Sequence, residues 1–168
     1  MNLEYRKAEL SDLNSIMQIF SEAQSFMEKS GNPQWERGFP SEADVRGGIF
    51  GGIIYVVTAD KEIAGVFSVV FYDHDYETID GEWLSSDKYI AVHRVAVSDK
   101  YRRKGVAKFI LKTADEIARE NGAKSVRFDT HELNTPMLTL LSSNGFTRCG
   151  TICIFRDDTL RIAFEKLI

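Results

Sequence analysis

The stretch HRVAVSDKYRRKGVAKFILKTADEI, residues 93–117, decides how the chain is built. It begins as an alternating apolar strand, passes through a turn rich in cations, and continues as an amphipathic helix with Val106, Ile110 and Ile117 at helical spacing. Gly105 stands where the helix begins, and its missing Cβ lets a ligand approach the backbone. A helix N-terminus presents unpaired N–H groups and a partial positive charge, so this junction predicts an anion site.

The turn carries five positive charges in nine residues, although the net charge of the chain is −4. These cations are Lys100, Arg102, Arg103, Lys104 and Lys108. Phosphate or pyrophosphate is the natural ligand for such a turn. Neither the P-loop pattern G-x-x-x-x-G-K-[ST] nor the dinucleotide pattern G-x-G-x-x-G is present. On charge and glycine alone, a solvated cationic face explains the stretch equally well.

Length and composition favour one globular domain over residues 1–168. The chain is 43% hydrophobic and 27% charged, as soluble globular domains are. A sequence pI of about 5.4 disfavours nonspecific nucleic-acid binding, which depends on net positive surfaces. The N-terminus lacks a signal-peptide core, and no apolar run approaches the roughly 18 residues of a membrane span. We therefore expect a cytoplasmic protein without membrane or nucleic-acid partners.

The cysteines and histidines predict neither a disulfide nor a metal site. Cys149 and Cys153 lie four residues apart in a predicted strand, about 13 Å along its axis, which is too far for a disulfide. His74, His93 and His131 have no ligand spacing.

The remaining patterns predict a mixed α/β chain of about seven strands and four helices without repeats or linkers. The predicted helices cover residues 11–31, 41–52, 103–122 and 134–145. The predicted strands cover residues 3–8, 53–60, 62–72, 88–98, 124–130, 146–155 and 160–168.

The segment VAVSDKYRRKGVA, residues 95–107, resembles the acetyl-CoA signature of the GNAT superfamily, the Gcn5-related N-acetyltransferases. The family pattern [Q/R]-x-x-G-x-[G/A] is met by the run from Arg102 to Ala107. It follows a V-A-V strand end and opens a long helix, a strand comes next, and Asn134 then begins a helix that ends in NGF, residues 144–146. The resemblance extends over essentially the whole chain and implies a GNAT acyl-CoA N-acyltransferase fold with acetyl-CoA as cosubstrate.

The resemblance implies roles for individual residues. The backbone of residues 95–97 would pair with the pantetheine arm as a peptide strand would, and an amide near Val95 would polarise the thioester carbonyl. The amides of residues 103–108 would cradle the pyrophosphate, and Asn134 would hydrogen-bond the pantetheine region. The predicted acetyl-CoA-binding residues are Val95, Ala96, Val97, Arg102, Arg103, Lys104, Gly105, Val106, Ala107, Lys108 and Asn134.

The sequence departs from the family at the positions that supply the general acid and the general base in many members. Many members carry a Tyr seven residues after the Asn as general acid, and this chain has Leu141 there. A thiol of pKa about 8.5 still leaves well as thiolate. The signature strand lacks the carboxylate that many members use, so we expect His93 to assist deprotonation of the amine, together with His131 after the neighbouring strand. Alternatively, His93 is a hydrogen-bonded histidine of the sheet, and His131 is a solvated or capping residue.

An acidic loop predicts a cationic acceptor. Its carboxylates are Asp73, Asp75, Glu77, Asp80 and Glu82. Trp83 lies beside them, and the loop containing Trp35 and Glu36 is expected to face the same side, where family members usually admit the acceptor. Carboxylates and aromatic rings suit an ammonium group, although an ordinary solvated loop has the same composition. Trp35, Glu82 and Trp83 are the predicted acceptor-binding residues.

Two functions follow as hypotheses. The first is an enzyme that transfers acetyl from acetyl-CoA to a primary amine by direct attack in a ternary complex. The second is a non-catalytic acyl-CoA-binding or sensor module with the same fold. A small-molecule amine, a polyamine, and a protein N-terminus or lysine all stay open as acceptors. The final strands also leave a homodimer open.

Overall fold

The computed structural model describes residues 1–35 and 38–168. These residues contain four α-helices and eight strands of one mixed sheet, which confirms the predicted mixed α/β fold. The helices are α1 (Leu13–Lys29), α2 (Glu42–Phe50), α3 (Val106–Glu120) and α4 (Thr135–Ser143). The strands are β1 (Leu3–Lys7), β2 (Ile54–Ala59), β3 (Glu62–Val70), β4 (Asp80–Gly81), β5 (Tyr89–Val97), β6 (Ser125–Thr130), β7 (Thr147–Ile154) and β8 (Thr159–Leu167).

The strand that the sequence did not predict is β4, a two-residue edge strand inside the acidic loop. Asp80 pairs with Thr151 of β7, and Gly81 pairs with Gly150. A Cβ on Gly81 would lie 2.2 Å from the carbonyl oxygen of Cys149, so the two backbones can meet only through glycine. A pairing of this kind leaves no local periodicity to detect.

The chain forms two compact units, residues 1–69 with 94–113 and residues 70–93 with 114–168. In the first unit β1 pairs antiparallel with β2, β2 pairs antiparallel with β3, and the last residues of β5 follow β3 in strand order.

The apolar stripe of α1 supplies the core of this unit: Ile16 and Phe20 are fully buried and pack with Val56 and Val66. Ser41 caps α2, where its hydroxyl accepts the Asp44 N–H at 3.2 Å.

In the second unit the order is β5-β6-β8-β7-β4. The first residues of β5 run parallel to β6, whereas β8 is antiparallel to both β6 and β7. Phe128 of β6 meets Phe146 edge-on, with ring centroids 5.1 Å apart. Tyr76 of the acidic loop and Ile152 of β7 belong to a second buried cluster.

Both cysteines are free thiols, as the spacing predicted. None of the helices among the described residues combines the length and the apolar character needed to cross a membrane.

Candidate active site

The signature turn adopts the geometry that an anion-binding helix start requires. After β5, residues Asp99–Tyr101 form a short 3₁₀ turn, and the backbone then takes positive φ values of 59° at Arg103 and 87° at Gly105. Phe109 N–H donates to the Gly105 carbonyl at 2.9 Å, which is the first bond of α3. The amides of residues 106–108 therefore precede the helical ladder and point out of the helix N-terminus.

The five cations of this turn have two different environments. Arg103, Lys104 and Lys108 are exposed. Lys100 is exposed as well, but it pairs with Glu62, and Arg102 pairs with Asp99 at 2.7 Å and lies over the Phe26 ring. The Lys104 ammonium lies 5.5 Å from the Tyr101 ring centroid. The sequence had treated all five as equivalent.

The backbone of β5 is irregular directly after His93. Its parallel pairs with β6 run from Tyr89↔Ser125 to Val92↔Phe128, and later residues of β5 lie beyond this ladder. Arg94 then takes φ of 54°, a left-handed conformation that is costly for a residue with a Cβ. The simple alternation that would place His93 and Val95 on one face is therefore interrupted between them.

His93 lies between two carboxylates. Its Nε2 is 2.6 Å from Oδ2 of Asp73, and its Nδ1 is 3.3 Å from Oδ1 of Asp129. Burial disfavours the imidazolium and by itself would lower the pKa of His93, but the two carboxylates outweigh burial and raise the pKa from 6.5 to about 9. For Asp73, burial alone would raise the pKa, but His93 outweighs it and the pKa is lowered. His93 is thus a cation at neutral pH.

Tyr76 completes this cluster. Its hydroxyl donates to Oδ1 of Asp129 at 2.7 Å, and its ring centroid is 5.8 Å from that of His93. The side chain is only 2% exposed, and burial together with Asp129 holds its pKa well above the ordinary value. Tyr76 is therefore a fixed neutral donor that holds one of the carboxylates against His93.

His131 and Asn134 organise the turn from β6 into α4. Nδ1 of His131 accepts the Leu133 N–H at 3.1 Å, and burial and Arg161 lower the pKa of His131. Asn134 caps α4 as predicted, where its Oδ1 accepts the Met137 N–H at 3.4 Å. These contacts match the capping role considered for His131, and its catalytic role stays a prediction.

Leu141, at the position of the family's tyrosine, lies in α4 and is fully buried. It is an apolar core residue and supplies no proton donor. Ser143, two residues later, donates its hydroxyl to the Thr139 carbonyl at 2.7 Å within the helix.

The acidic loop is tied to the sheet by a buried ion pair. Arg127 of β6 donates its Nε to Glu165 of β8 at 2.9 Å, and the two residues are 5% and 0% exposed. The other carboxylate oxygen of Glu165 accepts the Leu84 N–H at 2.6 Å, and Arg127 Nη2 donates to the Ser85 carbonyl at 2.6 Å. The loop is thus anchored at Leu84 and Ser85.

The predicted acceptor-binding residues have unequal surroundings. Trp83 is held by other residues of the protein. Its Nε1 donates to the Tyr76 carbonyl at 3.0 Å, and its ring lies 4.1 Å from the Arg127 guanidinium. Glu82 is exposed. Trp35 packs edge-on against Phe20 in the core of the first unit. Glu36 lies outside the described residues.

A cavity of about 580 Å³ opens at this loop and combines aromatic with acidic walls. Its aromatic residues are Tyr72, Tyr76, Trp83 and Tyr89, and its carboxylates are Glu77, Glu82 and Asp87. Tyr76 thus lines the cavity and also contacts the His93 cluster.

Comparison with known proteins decides the family. The model of the acetyltransferase (GNAT) family matches residues 13–146, most of the chain. The chain belongs to the acetyltransferase (GNAT) family. A GNAT-family acetyltransferase structure from Streptococcus agalactiae 2603 superposes with a TM-score of 0.89 at 29% identity, over 99% of this chain and 95% of that one. The paia N-acetyltransferase of Thermoplasma acidophilum, solved with coenzyme A, shares the fold at a TM-score of 0.75 and 16% identity over 100% of both chains.

Curated relatives of this GNAT chain match over shorter segments. N-acetyltransferase 8 of Homo sapiens is 24% identical over 100 residues, which is 60% of this chain and 40% of that protein. N-acetyltransferase 8F1 of Rattus norvegicus is 32% identical over 66 residues, 39% of this chain and 30% of that protein. The chain therefore spans less than half the length of these two relatives.

Sequence reasoning missed four residues that shape the candidate site of this GNAT chain: Tyr76, Asp129, Arg127 and Glu165. One signal was present for three of them. Arg127, Asp129 and Glu165 are charged residues within otherwise apolar strands, and a charge in a buried strand needs a partner. Tyr76 left no comparable signal, because it lies in a polar loop.

Proposed function

We propose that this chain is an N-acetyltransferase that moves an acetyl group from acetyl-CoA to a primary amine by direct attack in a ternary complex. The single observation that carries the proposal is the signature turn of a GNAT-family chain, with left-handed Arg103 and Gly105 leading into the open N-terminus of α3. Such a turn offers amides and a helix dipole to a pyrophosphate.

The residues present fit the cosubstrate. A Cβ built on Gly105 would meet nothing within 4 Å, so the backbone there is open to a ligand, and Arg103, Lys104 and Lys108 are exposed beside it. Residues 95–97 lie in β5 beyond its ladder with β6, and their backbone groups would hold the pantetheine arm as a strand. Asn134 is the proposed further contact. Bound acetyl-CoA supplies an activated acetyl thioester.

The amine nitrogen attacks the thioester carbonyl, so that a carbon–nitrogen bond forms while the carbon–sulfur bond breaks and thiolate leaves. The second proton, which the nitrogen loses as it becomes an amide, neutralises the thiolate and gives free thiol. A lysine-like amine has a pKa of about 10.4 and must first lose a proton. His93 is the proposed acceptor of that proton, because it is the titratable histidine of β5, the strand whose following residues would hold the cosubstrate. Its cationic state below pH 9 means that activity depends on the small fraction of neutral imidazole.

This role predicts that log(kcat/KM) rises with slope near one up to about pH 9 and then levels. The acceptor's own titration is separated by comparing a lysine-like amine with an α-amino group of pKa about 7.7–8.0, since an enzyme group must give the same inflection with both. His93→Gln should lower kcat/KM about 10²-fold or more, with His74→Gln as the matched control. Wild-type kcat/KM in His93→Gln from pH 6 to 9 would rule out the assignment.

A cationic acceptor is the proposed substrate class, and the cavity at the acidic loop is its proposed site. Three carboxylates and four aromatic residues line it, and both kinds of group attract ammonium ions. Arg127 also lines it, but its positive charge is paired with Glu165 at 2.9 Å. KM for a polyamine should rise with ionic strength, because exposed charges are screened. A KM independent of salt would contradict this choice of site, and a neutral acceptor used equally well would contradict the substrate class.

Leu141 supports the second candidate, a non-catalytic acyl-CoA-binding module. The residue is fully buried, so no donor of the usual kind stands at that position. Both functions predict CoA binding, and only turnover separates them.

The deciding experiment is release of free thiol from acetyl-CoA across a panel of amines. The panel contains a polyamine, a lysine peptide, a peptide with a free N-terminus and an aminoglycoside. Thiol release above the amine-free rate for any member supports the enzyme. CoA binding without release across the panel supports the binding module.

A further inference from the structure

The signature turn is held from two sides by glutamates of its own unit, which is unexpected beside a site for a polyanion. Glu22 lies in the middle of α1, and Glu62 begins β3. The two carboxylates contact residues 99–101, and the backbone carbonyl of Glu22 contacts Arg102, directly before the proposed pyrophosphate amides. We refer to Glu22 and Glu62 with these contacts as the carboxylate clamp.

On the α1 side, Glu22 uses both its side chain and its backbone. Its Oε2 accepts the Asp99 N–H at 2.7 Å, and its carbonyl oxygen accepts from Arg102 Nη2 at 3.5 Å. Arg102 also pairs with Oδ1 of Asp99 at 2.7 Å, and its guanidinium carbon lies 4.2 Å from the Phe26 ring centroid. One face of this guanidinium and its Nη2 donor are thus directed at protein partners.

On the β3 side, Glu62 contacts the two residues that follow Asp99, Lys100 and Tyr101. Its Oε2 accepts the Tyr101 hydroxyl at 2.6 Å and pairs with the Lys100 ammonium. Tyr101 is buried although it lies in the turn. The 3₁₀ turn is therefore fixed through a backbone N–H, a hydroxyl and two cations.

The negative charges of Glu22 and Glu62 have two opposing effects on the binding of a pyrophosphate. Carboxylates within about a Debye length of a pyrophosphate repel it, so by long-range charge alone both glutamates weaken binding. Their local contacts act in the opposite direction, because they order the backbone whose amides would face the ligand. A preorganised turn spares the ligand the cost of ordering it.

We propose that Glu22 and Glu62 are positioning residues for the pyrophosphate turn, and that Arg102 and Lys100 serve in this clamp rather than as phosphate ligands. The inference rests on the proposed use of acetyl-CoA. It divides the five signature cations into two that hold the turn and three, Arg103, Lys104 and Lys108, that face the anion.

The test is calorimetric titration of CoA into the full-length chain at several ionic strengths. Glu22→Ala removes the acceptor and the charge, whereas Glu22→Gln removes the charge but keeps an acceptor oxygen. The clamp predicts about fivefold weaker binding for Glu22→Ala, the size of one lost hydrogen bond, and near wild-type binding for Glu22→Gln. Glu28→Ala, one carboxylate fewer on the same helix, is the control. Tighter binding in both Glu22 variants would show that charge alone acts.

Neighbouring arginines supply a second comparison. Arg103→Ala should weaken binding at low salt and reduce its salt dependence, because a direct anion contact is lost. Arg102→Ala should weaken binding with the wild-type salt dependence. Equal loss of salt dependence in both variants would make Arg102 a phosphate ligand and overturn the division.

Hydrogen exchange of the ligand-free protein reports positioning directly. Glu22→Ala should speed exchange of the amides of residues 99–105 while circular dichroism and Tm confirm the fold, and Glu22→Gln should restore protection. If wild-type protein binds CoA and Glu22→Ala changes neither exchange nor affinity, the positioning role of the carboxylate clamp is contradicted, while the proposed function still stands. A wild-type protein that binds no CoA overturns the proposed function instead.

Discussion

Nε2 of His93 lies 2.6 Å from Oδ2 of Asp73, and the pair joins the end of the β5–β6 ladder to the acidic loop. Asp129 contacts the other ring nitrogen, so the imidazole has a carboxylate on both sides. Such an arrangement holds a proton firmly. The histidine is consequently a base only when its proton is released, which places its working range above neutrality.

Removing one of the two carboxylates beside His93 should lower the pKa of this histidine. Asp129→Asn and Asp73→Asn each take away one of the two charges that outweigh burial, so the pKa of His93 should fall from about 9 toward its ordinary value in either variant. NMR titration of the His93 imidazole checks this, with Glu77→Gln in the same loop as control. A pKa unchanged in both variants would show that the ion pairs do not set the titration.

The same contacts predict how stability depends on pH. The pKa of His93 is raised in the folded state, from 6.5 to about 9, so the stabilisation is fully present below pH 6.5 and is lost as pH rises through about 9. The free energy of unfolding should therefore fall over this window, by an amount on the order of 3 kcal/mol. Urea denaturation from pH 6 to 9.5 measures it. The His93→Gln protein should lack this fall, and an identical fall in both proteins would assign it to other groups.

Gly65 sets the distance between β3 and the start of α3. A Cβ at this position would lie 2.9 Å from Cγ1 of Val106 and 3.3 Å from the Ala96 carbonyl oxygen. Val106 is β-branched and cannot easily turn away. Gly65→Ala should therefore cost about 1–3 kcal/mol of stability and weaken CoA binding, because the first turn of α3 must shift.

Thermal unfolding and CoA titration check the Gly65 prediction. Gly47→Ala is the matched control, because a Cβ at this position of α2 meets nothing within 4 Å. That control should be neutral or slightly stabilising. Equal Tm values for the two variants would contradict close packing at Gly65.

The Arg127–Glu165 pair should behave as a buried ion pair. Arg127→Met leaves the fully buried Glu165 without its cation and should destabilise the protein by about 3–5 kcal/mol. Replacing both residues by Met and Leu should cost less than that single change, because no unpaired charge is left. Urea denaturation of the two single variants and the double variant forms a thermodynamic cycle. Additive losses would show that the two side chains do not interact.

Local patterns predicted the elements that position the proposed cosubstrate. The periodicity of residues 106–117 predicted α3, whose predicted start at residue 103 lies three residues before the observed start at Val106, and Asn134 was predicted as the cap of α4. These features depend on neighbours within one or two turns, which a single sequence displays.

The candidate proton-handling cluster could not be predicted in the same way. Asp73 and Asp129 meet His93 because of a loop path and a parallel register, and both are contacts between residues distant in sequence. The left-handed backbone conformation of Arg94 could not be predicted from the sequence either, because nothing in the residue type favours that conformation. The composition of the acidic loop predicted either an acceptor site that includes Trp83 or a solvated loop, and neither prediction included the contact of the Trp83 ring with the buried Arg127.

The most direct test of the central claim is mass spectrometry of the amine panel after incubation with acetyl-CoA and purified protein. An acetyltransferase should give an amine that gains one acetyl group for each thiol released, and the rate should be much lower when Gly105→Val fills the open turn. A protein that binds CoA but leaves every amine unmodified, with thiol release no faster than in buffer, would contradict the central claim.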